Sequence, residues 1–197
     1  MNDFKNRSHL RKLAVLIAVL LVGYLIYFVS FTVGASIAIT SSIQTVNVSS
    51  QTMSPAIVKG QEVYLAKYPI PDRKYSLSLP INSIVAVSVK QQYGSLAVKA
   101  NPHSGNTILS RVVALAGDRV VISHGHVTVY DSLRPNGFNP SLSYEAPGTI
   151  TAGNVNMVVP PGYVYLLGDN RSLAMDSRYF GAVPVNSITG IYIGTVK

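Results

Sequence analysis

The sequence has 197 residues, room for one domain with an anchor rather than a multidomain machine. Hydrophobic residues make up 48% and charged residues 12%, far below the ~25% charge of ordinary soluble domains, which argues against disorder and against a freely soluble cytoplasmic enzyme. Cysteine is absent, so disulfide scaffolds, thiolate zinc sites, iron–sulfur clusters and cysteine nucleophiles are excluded as well, and the 15 Gly and 11 Pro favour strands and turns over helices.

The net charge is +8, but the basic residues do not make a face. Their one dense group is Lys5, Arg7, Arg11 and Lys12 at the N-terminus, and the other twelve are scattered. A nucleic-acid partner needs a clustered electrostatic footprint, so none is expected. From Leu13 to Ile39 no charge occurs. A bilayer core needs ~20 apolar residues as helix, so residues 13–39 are expected to span a membrane. A cleaved secretory signal normally has a shorter apolar core, which favours a retained anchor over removal near Ala35 to Ala38. The basic residues before the segment place residues 1–12 in the cytoplasm and residues 40–197 outside it, in contact with membrane lipid at the anchor.

Beyond the anchor the apolar pattern changes to alternation. Strands are expected at 43–48, 62–66, 84–89, 108–115, 119–122, 127–130, 156–159, 163–167 and 190–196. Gly, Pro, Asn and Asp separate them at short intervals, which predicts a mainly β sandwich or barrel. Loops are expected at 68–80 and, as a loop-rich insertion, at 132–153. His124 and His126, two apart, are expected on one face of a strand. With no third ligand nearby in sequence, that pair predicts an exposed hairpin rather than a metal site.

Three segments concentrate unusual residues. The first, Ser49-Ser-Gln-Thr-Met-Ser-Pro-Ala-Ile57, follows a strand. The second is Ser110-Arg-Val-Val-Ala-Leu-Ala-Gly-Asp118, and the third runs from Leu167 through Gly168, Asp169, Asn170 and Arg171 to Asp176, Ser177, Arg178 and Gly181. Two acids and two arginines within ten residues make an ion-pair network possible, and Asp and Asn bond their own backbone in such turns.

With these motifs in this order behind an N-terminal anchor, the chain resembles the bacterial type I signal peptidases over nearly its whole length. Thr52-Met53-Ser54-Pro55 stands for the family's Ser-Met-x-Pro, Ser110-Arg111 to Gly117-Asp118 for its Lys-Arg to Pro-Gly-Asp, and Gly168 to Arg178 for its third signature. The resemblance implies a signal-peptidase-like β ectodomain with one transmembrane helix. It implies signal peptides of secreted preproteins as partners, and neither cofactor nor metal. It makes Arg111, Gly117, Asp118, Gly168, Asp169, Asn170, Arg171, Ala174, Asp176, Ser177 and Arg178 structural, with Asp176 a partner of Arg178 and Asp169 of Arg111. Met53 is then a packing residue beneath the active-site strand.

The departures fall on the chemistry. In the family a serine attacks and a neighbouring lysine takes its proton. A hydroxyl is a weak nucleophile without a base, and lysine serves only when burial keeps it neutral. Here Thr52 holds the nucleophile position and Ser110 the base position. Ala174 replaces the serine that orients the amine, and Gln51 replaces a glycine and narrows the approach. Ser50, at the oxyanion-donor position of some members, is retained. Lys67, Lys90 and Lys99 have no spacing that makes them substitutes. The expectation is a non-catalytic homologue that binds signal-peptide ends, or assists an active signal peptidase in the same membrane. Peptide would add as a strand along Thr45, Val46, Asn47, Val48, Ser49, Ser50 and Gln51, flanked by Met53 and Pro55. The alternative is an active signal peptidase I with Thr52 as nucleophile and an unforeseen base.

Overall fold

A computed structural model describes residue 17 and residues 20–30, 43–68, 79–88, 107–140, 144 and 148–196. The chain divides into two compact units, Met1–Ile43 and Gln44–Lys197. In the first, residues 20–30 are helical and all exposed, and Tyr24 stacks on Phe28 one turn on with ring centroids 6.4 Å apart. Among the described residues no helix is long and apolar enough to cross a membrane. The rest of the expected anchor (13–16, 18–19 and 31–39) and residues 1–12 lie outside the described residues.

The second unit is mainly β. Its strands are β1 (Ile43–Asn47), β2 (Glu62–Lys67), β3 (Ile84–Ser88), β4 (Thr107–Ala114) and β5 (Arg119–Ser123). They continue as β6 (His126–Tyr130), β7 (Val155–Val158), β8 (Tyr163–Leu167), β9 (Val183–Pro184) and β10 (Ile188–Thr195). Seven make one sheet in the order β1-β2-β10-β3-β4-β8-β9, and three make another in the order β6-β5-β7. Their ends depart from the expected ones by a residue or two, the range over which strand ends fray.

Burial explains the texture of each strand. In β3, Val85 and Val87 join one apolar cluster with Val112 and Leu166, while Ile84 and Ala86 join a second with Met53, Ile57, Val63 and Leu65. In β8, Val164 and Leu166 face the first cluster, and Tyr165 and Leu167 a third with Val113, Val120, Ile122 and Val129. These strands are covered on both sides and read as unbroken apolar runs. β1, at the end of the sheet order, shows instead the alternation of an exposed edge.

Tyr165 is fully buried, and its hydroxyl has no hydrogen-bond partner among the described residues. Burial, and next the charge of Asp176, raises its pKa far above the ordinary tyrosine value. Leaving a buried donor unmade costs about 1–3 kcal/mol, so Tyr165→Phe is expected to be neutral or stabilising by up to about that amount. The denaturant midpoint of unfolding checks it, and a fall of more than about 1 kcal/mol would show that the hydroxyl is bonded.

Three local features depart from expectation. His124 does not share a strand with His126. It forms the two-residue turn of the β5–β6 hairpin with Gly125, both at positive φ (51° and 83°), while Ser123 pairs with His126. This is the primed turn that matches strand twist, and it removes the presumed same-face geometry. No group of three or more metal-ligating side chains occurs among the described residues. The described part of the insertion holds more structure than a plain loop: Phe138 makes an antiparallel bridge to Val129, and the Asp131 carboxylate accepts from the Leu133 and Arg134 amides. Finally, Ser177–Phe180 forms one helical turn, capped by the Asp176 carboxylate accepting from Arg178 N. Residues 69–78 of the other expected loop lie outside the described residues.

Candidate active site

The first motif is a compact turn that follows β1. Ser54 N donates to Gln51 O and Ile57 N to Met53 O, which folds the segment back on itself. Its apolar members anchor it, because Met53 and Ile57 are each 1% exposed and pack with Val63 and Leu65. Its polar members are left on top: Thr52 is half-buried and Gln51 exposed. Gly60 N donates to Val48 O and Val48 N to Gln61 O, so the turn is tied at both ends.

The third motif holds Thr52 from the other side. Asn170 N donates to Thr52 O at 3.0 Å, and Gly168 lies so close that a Cβ there would collide with Ala174 Cβ and stand 2.8 Å from Thr52 O. Only glycine lets that backbone pass. Gly168→Ala is therefore expected to cost about 1–3 kcal/mol of stability and to displace the Thr52 turn. Chemical denaturation measures the first effect, and shifts of Thr52 and Asn170 amide resonances the second.

Two buried ion pairs fix the turn. Arg111 on β4 grips Asp169 with a bidentate pair, Nε to Oδ1 at 2.7 Å and Nη2 to Oδ2 at 2.5 Å. Its remaining nitrogen donates to Asn82 O, and the Tyr144 ring lies 4.0 Å from Cζ. Asp176, fully buried, accepts from Gly168 N, Arg178 N, Arg178 Nε and Arg178 Nη2. Burial opposes the Arg178 charge, but bonding and attraction to Asp176 prevail and hold its pKa above the ordinary arginine value. Arg171 donates to Gly168 O and Thr151 Oγ1, and Ser177 Oγ accepts from Leu166 N. Each oxygen of both carboxylates accepts at least one hydrogen bond, the condition under which buried charge is tolerable.

These constraints bring Ser50, Thr52, Ser110 and Ala174 around one recess, walled also by Ile108, Leu109 and Met175. Its volume is about 10 Å³, the space of one water. Ser110 is 2% exposed and Ala174 4%. Thr52 Oγ1 lies 2.9 Å from Ser50 Oγ, either hydroxyl able to donate. None of the seven wall residues carries an amine, imidazole or carboxylate. Lys67 is exposed at the end of β2, and Lys90 and Lys99 lie outside the described residues.

Gly117 and Asp118 are not among the residues that wall the recess. They form a turn in which Asp118 N donates to Leu115 O and Gly117 takes a φ of 92°, and they bond Val159 instead. Burial raises the Asp118 pKa, against the lowering pull of its bond from Leu115 N. Sequence reasoning had not singled out Met175, Ile108 and Leu109 as walls. Nor had it found Asn82, Thr151 and Tyr144 as partners of the arginines. Asn82 alone carried a local signal, an Asn after Pro80 that takes a φ of 71°.

Residues 13–196 match the family described as signal peptidase, peptidase S26. The chain belongs to that family. Among its relatives, this signal peptidase homologue is 30% identical over 145 residues to thylakoidal processing peptidase 1 of Arabidopsis thaliana, which covers 73% of this chain and 39% of that one. It is 35% identical over 95 residues to a signal peptidase I of Bacillus caldolyticus, covering 42% of this chain and 49% of that one. A solved signal peptidase I from Enterococcus faecalis V583 shares 21% identity over 59% of this chain and 98% of that chain, with a TM-score of 0.39. The chain spans between about two fifths and a half of the length of these two curated relatives.

Proposed function

We propose that this signal peptidase homologue is a membrane-anchored, extracytoplasmic protein that binds the ends of signal peptides without cutting them, or assists an active peptidase in the same membrane. One observation carries the reading: the hydroxyl at the attacking position is bonded to another hydroxyl, in a recess whose walls, among the described residues, hold no group able to take its proton. Losing a general base costs 10²–10⁴ in rate, and losing a nucleophile–base unit ~10⁶. The binding half of the reading is supported by an intact frame. The edge strand β1 leads directly into the Thr52 turn, so an extended peptide adding to that edge would run toward the recess, with Gln51 exposed beside its path.

The test uses the full chain in detergent or liposomes with a fluorescent peptide spanning a signal-peptide cleavage point. Wild type is expected to bind the peptide and leave it intact over hours, with binding weakened by proline substitutions in the peptide that remove strand hydrogen bonds. Cleavage by wild type that Thr52→Ala abolishes would overturn the non-catalytic reading and establish the threonine as nucleophile. Absence of binding would remove the peptide-binding role.

A further inference from the structure

The insertion touches the arginines of both the second and the third motif. Arg171 Nη1 donates to Thr151 Oγ1 at 2.5 Å, Arg171 Nη2 to Tyr144 Oη at 3.5 Å, and Arg178 Nη1 to Ala152 O at 3.4 Å. The Tyr144 ring also lies under Arg111, with its centroid 4.0 Å from Cζ. One tyrosine therefore meets two arginines, Arg111 with its face and Arg171 with its hydroxyl.

The contact with Arg111 has a definite chemistry. Nε and Nη2 of Arg111 hold Asp169 and Nη1 holds Asn82 O, so every nitrogen is engaged at the edge of the guanidinium. What is left is the flat face, and an aromatic ring attracts it without competing for those hydrogen bonds. The ring also keeps water from that face, which strengthens the attraction to Asp169. Arg171 is divided in the same way, its Nε on Gly168 O and its other two nitrogens on the insertion. Gly168 and Asp169 are the two residues before Asn170, whose amide donates to Thr52 O at 3.0 Å.

We infer that Tyr144 is a positioning residue, by which the insertion braces Arg111 and Arg171 and so sets the Thr52 turn for peptide. The inference rests on the reading above that peptide adds along β1 toward that turn. Tyr144 acts through the two arginines: they hold Gly168 and Asp169, and these place the Asn170 amide that carries Thr52. The ring is the larger part of the brace, because the hydrogen bond from Arg171 to its hydroxyl is long.

The experiment compares Tyr144→Leu and Tyr144→Phe with wild type, as full chains in detergent whose folding is verified by circular dichroism. Affinity for the fluorescent signal-peptide probe is read by anisotropy, and the Thr52 and Asn170 amide resonances by NMR. Tyr144→Leu is expected to shift both resonances and to weaken peptide binding roughly five- to thirtyfold, the worth of a desolvated ring–guanidinium contact at tenfold per 1.4 kcal/mol. Tyr144→Phe, which keeps the ring, is expected to stay within about twofold of wild type. Leu133→Ala, at an insertion residue 87% exposed, is expected to change neither reading. Where the leucine variant does not fold, Tyr144→Met takes its place with the same expectation. A purely structural role would lower the unfolding midpoint and leave the affinity of the folded variant unchanged, and that result overturns the inference. Unmoved Thr52 and Asn170 resonances overturn it too, as does a phenylalanine variant that loses as much affinity as the leucine one. If wild type binds no peptide, the proposed function falls, and the amide shifts alone then decide whether Tyr144 positions the turn.

Discussion

Asp169→Ala is expected to destabilise the chain by about 3–5 kcal/mol, the largest effect of any single substitution proposed here. Asp169 is 3% exposed and Arg111 8%, so removing the carboxylate strands a guanidinium where water cannot hydrate it. The whole pair is a weaker stabiliser than this figure suggests, because burying both charges costs much of what their attraction returns. What the pair supplies is placement. It ties β4 to the turn whose Asn170 amide holds Thr52, across 58 residues of chain. Chemical denaturation of Asp169→Ala beside Arg111→Met/Asp169→Leu separates the two contributions. The single change is expected to cost the full amount and the paired apolar replacement far less. Equal losses in both would show that the charges themselves stabilise the fold.

The second large effect is a gain. The triple variant Thr52→Ser, Ser110→Lys and Ala174→Ser is expected to cleave a signal-peptide substrate at least 10²–10⁴ faster than the Thr52→Ser single variant, the contribution of a positioned base. Position 110 is 2% exposed, so an amine there is desolvated and its pKa falls toward the range where a neutral fraction exists. Position 174 borders the same recess, and a hydroxyl there gives that amine a hydrogen-bond partner. A lysine side chain is larger than the recess, so room must come from Met175, an unbranched side chain that repacks readily, at about 1–3 kcal/mol of stability. The kcat/KM profile of the triple variant is expected to rise with pH through the lowered lysine pKa. A triple variant that folds and binds peptide but stays inert would show that a base and a serine at these positions are not enough for cleavage.

Much of this was legible in one dimension. Alternation, apolar runs and punctuation marked nine of the ten strands among the described residues, because half-buried strands print two faces into the sequence and strands covered on both sides print an unbroken apolar run. The missed strand, Val183–Pro184, is two residues long, and the helix Ser177–Phe180 a single turn held by the Asp176 cap, both too short for any period to register. His124 was misplaced for a related reason: a histidine at positive φ looks no different in sequence from one in a strand.

By itself the sequence determined which side chains stand in the three motifs, and with them that neither Thr52 nor Ser110 brings a basic group, since protonation chemistry belongs to the side chain. Only the tertiary structure decided that Ser50, Thr52, Ser110, Ala174 and Met175 line one recess, and that β10 lies between β2 and β3. Those facts depend on strand pairing and register between residues distant along the chain. Such pairings are selected by burying all three apolar clusters at once, so no local window of sequence contains them.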